Sequence, residues 1–457
     1  MRIGNLGSNV RASVDEFGAV ALADGTLVSW LIGADDHWHD PHSTAATRQR
    51  FVEGLPIVAT SMRVPGGDIV HTAYCVRSAS GNDAVVIDFE NASSLPVALA
   101  IMVSARRSVD LVGDTVVVDG VPTVRLGKTP AHMVCGSADE VRKLITTGAA
   151  PATWTGALES TWWQRRKHAP VCAGFVVPLT HRTTHRVAVS LGTTHRGPVS
   201  LGGDWTAEAP GNFADADAIV RGWDAHLRRG IRVESADVVA GEWARVRSEA
   251  LLAEPSGDGA KRLSQWGFGD EAIAMTEALW VGGDLRGVVA GAAATWRNER
   301  RLPMIDGLDA VLGEVLRVAS PDPELMLECG DVLEAVGQPD VAEKLRSDYV
   351  DERVFDTLAN RCILRVSADS IDVCPDASLV VQGNQVAVYD APTRFGKFGY
   401  AVRWHGDRPA LLWTLETHEH VKPGSFTITA KSIDRQWASS QSTGEALLST
   451  PSSGFAR

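Results

Sequence analysis

Three carboxylates beside expected helix ends are the residues of this sequence best placed to do chemistry. Asp258 lies between two glycines, Glu271 follows two aromatic residues in a turn between helices, and Asp306 precedes a glycine. One carboxylic acid can donate a proton while a second carboxylate accepts one or attacks carbon, so a converging pair predicts general acid/base catalysis. The alternative is structural, because acidic residues at such positions also cap helices and close turns.

Aromatic and basic residues supply candidates for ligand binding. The chain has 14 Trp but only 4 Tyr, and the Trp in segments that also carry His or Arg include four candidate binding residues: Trp38, Trp266, Trp404 and Trp413. An indole can stack on a sugar ring and donate a hydrogen bond, but it also packs in cores and domain interfaces. Arg394 lies in the aromatic and basic segment 388–413, where it either binds ligand in a cleft or pairs with helix acids.

The sequence favours neither a metal nor a cofactor. His37, His39 and His42 lie within six residues, but Pro41 bends the chain, so a solvated loop is the better interpretation. The six cysteines lack the two-residue spacing of zinc and redox motifs, which indicates free thiols. The sequence also lacks a serine hydrolase elbow and a Walker phosphate loop.

Charge and hydropathy exclude two classes of partner. The 44 basic and 56 acidic side chains give a net charge of −12, with no basic run for nucleic acid. The longest apolar stretch, 95–103, is far shorter than a membrane span, and no signal peptide precedes it, so we expect a cytoplasmic protein. The expected partner is a small carbohydrate, and the oligomeric state stays open.

The period of the apolar residues predicts three domains. Residues 1–232 show short apolar runs split by turn residues, which predicts a β-sandwich with a linker helix near 215–229. A clear case is 109–126, where Gly113-Asp114 and Asp119-Gly120 separate three β-branched runs and predict a meander. Residues 233–350 carry one-sided apolar stripes typical of about seven helices in hairpins. Residues 351–457 return to period two, which predicts a small β-sandwich.

This order of domains resembles the six-hairpin glycosidase-like superfamily, which includes bacterial glucoamylase-like hydrolases, disaccharide phosphorylases and rhamnosidase-like enzymes. The chain also resembles the superfamily in the local sequence of a turn between two helices, Ser264-Gln265-Trp266-Gly267-Phe268-Gly269-Asp270-Glu271-Ala272. The resemblance implies an N-terminal antiparallel β supersandwich, an α/α toroid that binds a glycan at its mouth, and a carboxylate pair for hydrolysis or phosphorolysis.

The helical segment departs from that pattern in its length. Twelve helices with loops do not fit into roughly 115 residues at ordinary helix and loop lengths. We therefore expect a toroid that is incomplete or is completed by helices from elsewhere, in a truncated or degenerate member of the superfamily. Two functional hypotheses follow. The first is a glycoside hydrolase-like enzyme that acts on an oligosaccharide or glycoside. The second is a non-catalytic relative that binds a carbohydrate or a protein.

Overall fold

The structure is a computed structural model in which the chain divides into two compact units, Met1–Trp223 and Asp224–Arg457. The described residues are 1–8, 10–35, 37–44, 46–79, 81–106, 108–153, 158–159, 170–191, 209–235, 240–318, 322–347, 349, 352–356 and 362–449.

The first unit is built from seventeen described strands. They are β1 (Arg2–Gly4), β2 (Arg11–Val14), β3 (Val20–Leu22), β4 (Leu27–Gly33), β5 (Trp38–His39), β6 (Thr47–Phe51), β7 (Ile57–Val64), β8 (Gly67–Arg77), β9 (Asp83–Asn91), β10 (Val97–Ala105), β11 (Ser108–Val112), β12 (Thr115–Val118), β13 (Val121–Leu126), β14 (His132–Ser137), β15 (Leu158–Glu159), β16 (Val171–Leu179) and β17 (Thr184–Ser190).

These strands form two antiparallel sheets around a common core. One has the order β1-β2-β3-β4-β10-β16-β14, with β5 on β4, and the other has the order β15-β11-β12-β13-β17-β9-β8-β7-β6. Alternation along β4 shows why the layers form: Trp30 and Ile32 enter the core between the sheets, while Leu31 joins a second cluster. Helix α1 (Ala138–Thr146) covers that second cluster with Val141 and Ile145.

Local sequence signals in this unit are confirmed. The predicted meander forms from β11, β12 and β13, with Gly113 and Gly120 in the left-handed region. A turn of this kind favours glycine because glycine has no Cβ to clash. Ser137 caps α1 in a capping box with Glu140, which satisfies free backbone N–H groups at the helix start.

Eight further helices begin after the first unit's strands, and the first of them spans the boundary between the units. They are α2 (Ala216–Leu227), α3 (Ala240–Leu251), α4 (Gly257–Gln265), α5 (Gly269–Gly282), α6 (Leu285–Glu299), α7 (Leu308–Val318), α8 (Pro323–Ala335) and α9 (Pro339–Arg346). Helix α6 is central to the second unit, because its residues from Gly287 to Thr295 are all buried. Its apolar face shares one core with α7 and α8, through residues such as Val289, Val311 and Leu325.

Ten described strands complete the second unit. They are β18 (Arg232–Glu234), β19 (Glu352–Asp356), β20 (Cys362–Ser367), β21 (Ser370–Val373), β22 (Val386–Thr393), β23 (Gly396–His405), β24 (Arg408–Thr417), β25 (Thr427–Ala430), β26 (Asp434–Ser439) and β27 (Thr443–Leu447). One sheet has the order β18-β22-β23-β24-β27 and the other β19-β20-β21-β25-β26. All pairs in them are antiparallel except β21 with β25.

The predicted fold class, multidomain with separate antiparallel sheets and helices, is confirmed by this architecture. The division into three domains at 232 and 350 stays a prediction. Across the described part of the chain, no helix has both the length and the apolar character that crossing a bilayer requires.

Candidate functional site

The second unit contains a pocket of about 530 Å³ where helix ends meet the edge of β22 and β23. We call it the Glu299 pocket. Its volume falls within the range of small-molecule sites. It is lined by Arg229, Gly267, Gly269, Asp270, Asn298, Glu299, Arg301, Asp390, Pro392, Lys397 and His418.

Two residues in left-handed backbone lie at or beside the Glu299 pocket. Arg300, which ends α6, has a φ of 57°, and Asp390, at a bulge in β22, has a φ of 60°. Side-chain-bearing residues avoid this left-handed region at a cost of order 1 kcal/mol, and such residues cluster at functional sites. The two turns place Glu299 and Asp390 on the lining of one pocket.

Gly269 allows Glu299 to reach its position. A Cβ built on Gly269 would lie 2.0 Å from both carboxylate oxygens of Glu299, which no real side chain tolerates. Gly269 is the first residue of α5, and the residue before it, Phe268, provides no side-chain cap. A carboxylate from the end of α6 therefore lies against the start of α5, which is a tertiary contact between two helices.

Glu299 and Asp270 have opposite electrostatic environments. Burial raises the pKa of Glu299, and nearby Asp270 adds to this, while Arg301 and Lys397 oppose it. Hydrogen bonds from Arg301 and then Arg229 outweigh burial and lower the pKa of Asp270. A pair of carboxyl groups whose pKa values are pushed apart is the arrangement that separates an acid role from a base role.

Arg301 joins the two carboxylates directly. Its Nη2 lies 2.8 Å from Oδ1 of Asp270, and its Nη1 lies 3.3 Å from Oε2 of Glu299. Because one guanidinium contacts both groups, the two carboxylates are no more than roughly 9 Å apart, which is within the range of glycosidase pairs.

The ion pairs continue away from the pocket. Arg229 places Nη2 at 2.9 Å from Oδ2 of Asp270 and Nη1 at 3.4 Å from Oε1 of Glu271. The same Oε1 lies 3.1 Å from Nε2 of His226, whose ring stacks on Phe268. Burial alone would raise the pKa of Glu271, but His226 and Arg229 lower it. Glu271 is thus held as a carboxylate behind Asp270.

Two further side chains complete the lining. Nε2 of His418 donates a hydrogen bond to the backbone oxygen of Thr393 at 3.2 Å, and burial lowers the pKa of the imidazole, which favours its neutral form. Lys397 is exposed and makes no ion pair with any residue in the described ranges. It is the cation of this pocket that has no carboxylate partner there.

A second pocket, the Lys261 pocket, has about 400 Å³ and lies at the opposite ends of the helices. The N-termini of α4, α6 and α8 meet there, capped by Ser256, Asp284 and Asp322. Lys261 Nζ lies 3.0 Å from Asp258, 2.8 Å from Glu324 and 3.3 Å from Glu328.

The charges of the Lys261 pocket satisfy one another. Burial alone would lower the pKa of Lys261, but its three carboxylate neighbours outweigh burial and raise it. Carboxylates near helix N-termini are also stabilised by the helix dipole. This arrangement accounts for its acids without a ligand.

The three acids singled out in the sequence lie apart. Asp258 lines the Lys261 pocket, where the hydrogen bond from Lys261 lowers its pKa. Helix α4, about 13 Å long, separates Asp258 from the turn that leads to Glu271. Asp306 lies exposed in a turn before α7 and lines neither pocket. A catalytic role for any of the three stays a prediction.

The predicted sugar-stacking residues line neither pocket. Trp266 is 7% exposed and packs edge-on against Trp243. Trp413 is equally buried and donates from Nε1 to the backbone oxygen of Gln441 at 2.9 Å. Trp404 is half-buried. In the second unit these indoles pack against protein.

Two other predicted binding residues are half-buried. Trp38, in the first unit, covers Gly33, where a Cβ would lie 3.0 Å from the indole. Arg394 follows β22 and lines neither of the two pockets.

Sequence reasoning missed Glu299 and Lys397. Glu299 reads as an ordinary polar helix end, since nothing local reveals that its carboxylate reaches Gly269 thirty residues earlier. Lys397 belongs to the mixed segment 388–413, but its position in a pocket depends on β22 and β23 meeting the helix ends. Within the described ranges, no group of three or more His, Cys, Asp or Glu side chains is arranged to hold a metal ion.

Comparison with known proteins gives a distant likeness. No family model and no curated protein matches the sequence. A family 92 glycosyl hydrolase is 12% identical with a TM-score of 0.34, over 78% of this chain and 59% of that chain. A protein described as a kojibiose phosphorylase from the human microbiome is 9% identical with a TM-score of 0.34, over 73% and 48%.

An inverting mannosidase of family 92 from Bacteroides thetaiotaomicron is 10% identical with a TM-score of 0.24, over 75% and 58%. This chain therefore spans about half to three fifths of the length of these structures. Likeness at these values assigns neither a family nor a reaction to this chain.

Proposed function

We propose that this protein is a glycosidase-like enzyme that cleaves a glycosidic bond in the Glu299 pocket. The observation that supports the proposal is the pair formed by Glu299 and Asp270, two carboxyl groups bridged by Arg301 on the lining of one pocket. Their pKa values are shifted in opposite directions, as acid/base chemistry requires.

Glu299 is the proposed general acid. Its burial favours the protonated form, which donates a proton to the oxygen that leaves the anomeric carbon. Asp270 is the proposed carboxylate partner. Arg229 and Arg301 hold it ionised, so it can orient an attacking water and take up the proton that this water loses. Arg301 keeps both groups at a fixed separation.

The second candidate is a non-catalytic carbohydrate-binding protein. One observation favours it, namely that both oxygens of Asp270 already contact an arginine, which makes Asp270 a weak base. In that case the pocket binds a saccharide through its polar lining and cleaves nothing. The two candidates differ in turnover and agree in binding.

The test is a panel of α- and β-linked disaccharides and methyl glycosides, whose alkoxide leaving groups need a proton, assayed for released sugar with and without inorganic phosphate. We expect turnover of at least one glycoside by the wild type and a loss of roughly 10²- to 10⁴-fold in Glu299→Gln, because a general acid contributes that much. The matched control is Asp258→Asn in the Lys261 pocket, for which we expect activity within about threefold of wild type.

Thermal unfolding of both variants should stay within a few degrees of wild type. Full activity in Glu299→Gln would overturn the assignment. If the wild type turns over none of the glycosides but is stabilised by them in thermal unfolding, the binding protein is the correct candidate.

A further inference from the structure

The charged groups of the Glu299 pocket are unequally paired. Asp270 contacts Arg229 and Arg301, and Glu299 contacts Arg301. Asp390, the third acid of the lining, lies 3.5 Å from Arg232. Each lining carboxylate thus has an arginine.

Lys397 has no such partner. Its neighbour across the sheet is Glu416 on β24, but no ion pair joins the two side chains, and none joins Lys397 to another described residue. When Glu299 is protonated, as an acid catalyst must be, the lining carries the three cations Arg229, Arg301 and Lys397 against only two anions. One positive charge is then left for a ligand.

We propose that the Glu299 pocket selects saccharides that carry an acidic group, and that Lys397 is the specificity-determining residue that binds this group. This inference rests on the proposed function, because it assigns a substrate class to the same pocket. An ammonium group attracts either a carboxylate or a phosphate as a point charge, so uronic acids and sugar phosphates share the required chemistry.

The position of Lys397 couples ligand binding to protonation. Lys397 lowers the pKa of Glu299, as Arg301 does, while burial and Asp270 raise it. An acidic ligand paired with Lys397 cancels the charge of the lysine and adds a negative charge nearby. Both changes favour the protonated carboxyl group of Glu299. An acidic saccharide therefore promotes protonation of the proton donor when it binds.

Titration calorimetry with glucose, glucuronic acid and glucose 6-phosphate tests the proposal on the full chain. We expect the wild type to bind at least one acidic sugar three- to tenfold more tightly than glucose, with a preference that weakens as salt is added. Binding of glucuronic acid, measured in two buffers of different ionisation enthalpy, should show proton uptake by the protein.

Three variants locate the effect. Lys397→Met should remove the preference for the acidic sugar over glucose, while Lys397→Arg should retain most of that preference. Lys344→Met is the control, because Lys344 is exposed and lines neither pocket, and it should change nothing. The two acidic sugars distinguish a carboxylate from a phosphate as the recognised group.

Equal binding of neutral and acidic sugars would overturn this inference but leave the proposed function intact. A preference that survives in Lys397→Met would overturn the role of Lys397. Failure of all three sugars and of the panel of disaccharides and methyl glycosides to bind would overturn the proposed function itself.

Discussion

The two pockets of the second unit hold similar side chains for different reasons. In the Lys261 pocket, Asp284 and Asp322 cap the helices that follow them in sequence, and Asp258 pairs with a lysine three residues later. In the Glu299 pocket, α5 starts without a side-chain cap, and the carboxylate against it comes from the end of another helix.

Structural and functional acids differ in whether a role in helix stability accounts for their position. An acid that caps its own helix lowers the free energy of folding locally and needs no ligand to account for it. A carboxylate from the end of one helix that fits over a glycine at the start of another is harder to explain by stability alone.

Gly269→Ala should break the Glu299 pocket. The new Cβ would occupy the position of the Glu299 carboxylate, and a displacement of about 1 Å at a catalytic group can cost roughly 100-fold in rate. Steady-state kinetics on the best glycoside measures the loss. Gly282→Ala, at the other end of α5 where a Cβ meets nothing within 4 Å, is the matched control and should keep wild-type activity. Equal activity of the two variants would contradict the account.

Lys261→Met should disrupt the ion pairs of the Lys261 pocket. It should lower the free energy of unfolding and leave glycoside turnover unchanged. It leaves Glu328, which is 5% exposed, without its cation, and we expect a loss of about 2 kcal/mol in the free energy of unfolding at pH 7. Denaturant unfolding measures this loss, and adding Glu328→Gln should recover part of it. A fall in glycoside turnover without a change in stability would refute the structural interpretation.

The first unit contains a buried titratable group, His71, that packs against aromatic rings and belongs to neither pocket. His71 is 1% exposed, stacks on Trp30 and meets the edge of Phe89, and burial lowers its pKa to about 4. Because the unfolded chain binds this proton near pH 6.5, stability is full above pH 6.5 and falls as the pH drops toward 4.

Between pH 7 and pH 5, the free energy of unfolding should therefore fall by about 2 kcal/mol less in His71→Leu than in the wild type. Thermal or denaturant unfolding between pH 4 and 7 measures the slope. An unaltered slope in His71→Leu would mean that other groups dominate acid unfolding.

The sequence predicted local structure better than it predicted the site. The meander at 109–126 depends on neighbouring residues, so apolar period and turn chemistry were enough to find it. The pairing of Glu299 with Gly269 and the exposure of Lys397 to a pocket depend on contacts between distant segments.

The tryptophans illustrate the same limit. Their number suggested ligand stacking, yet Trp266 and Trp413 pack edge-on against Trp243 and Trp437. An indole satisfies either role, and only the three-dimensional neighbours decide which.

The most direct test is a ¹³C NMR titration of Glu299, assigned by comparison with Glu299→Gln, with and without a glycoside bound. We expect the pKa of Glu299 to lie above the ordinary glutamate value of about 4.3 and to change when the glycoside binds. A carboxyl that titrates at or below that value and does not respond to the ligand would contradict the assignment of Glu299 as the proton donor of this pocket.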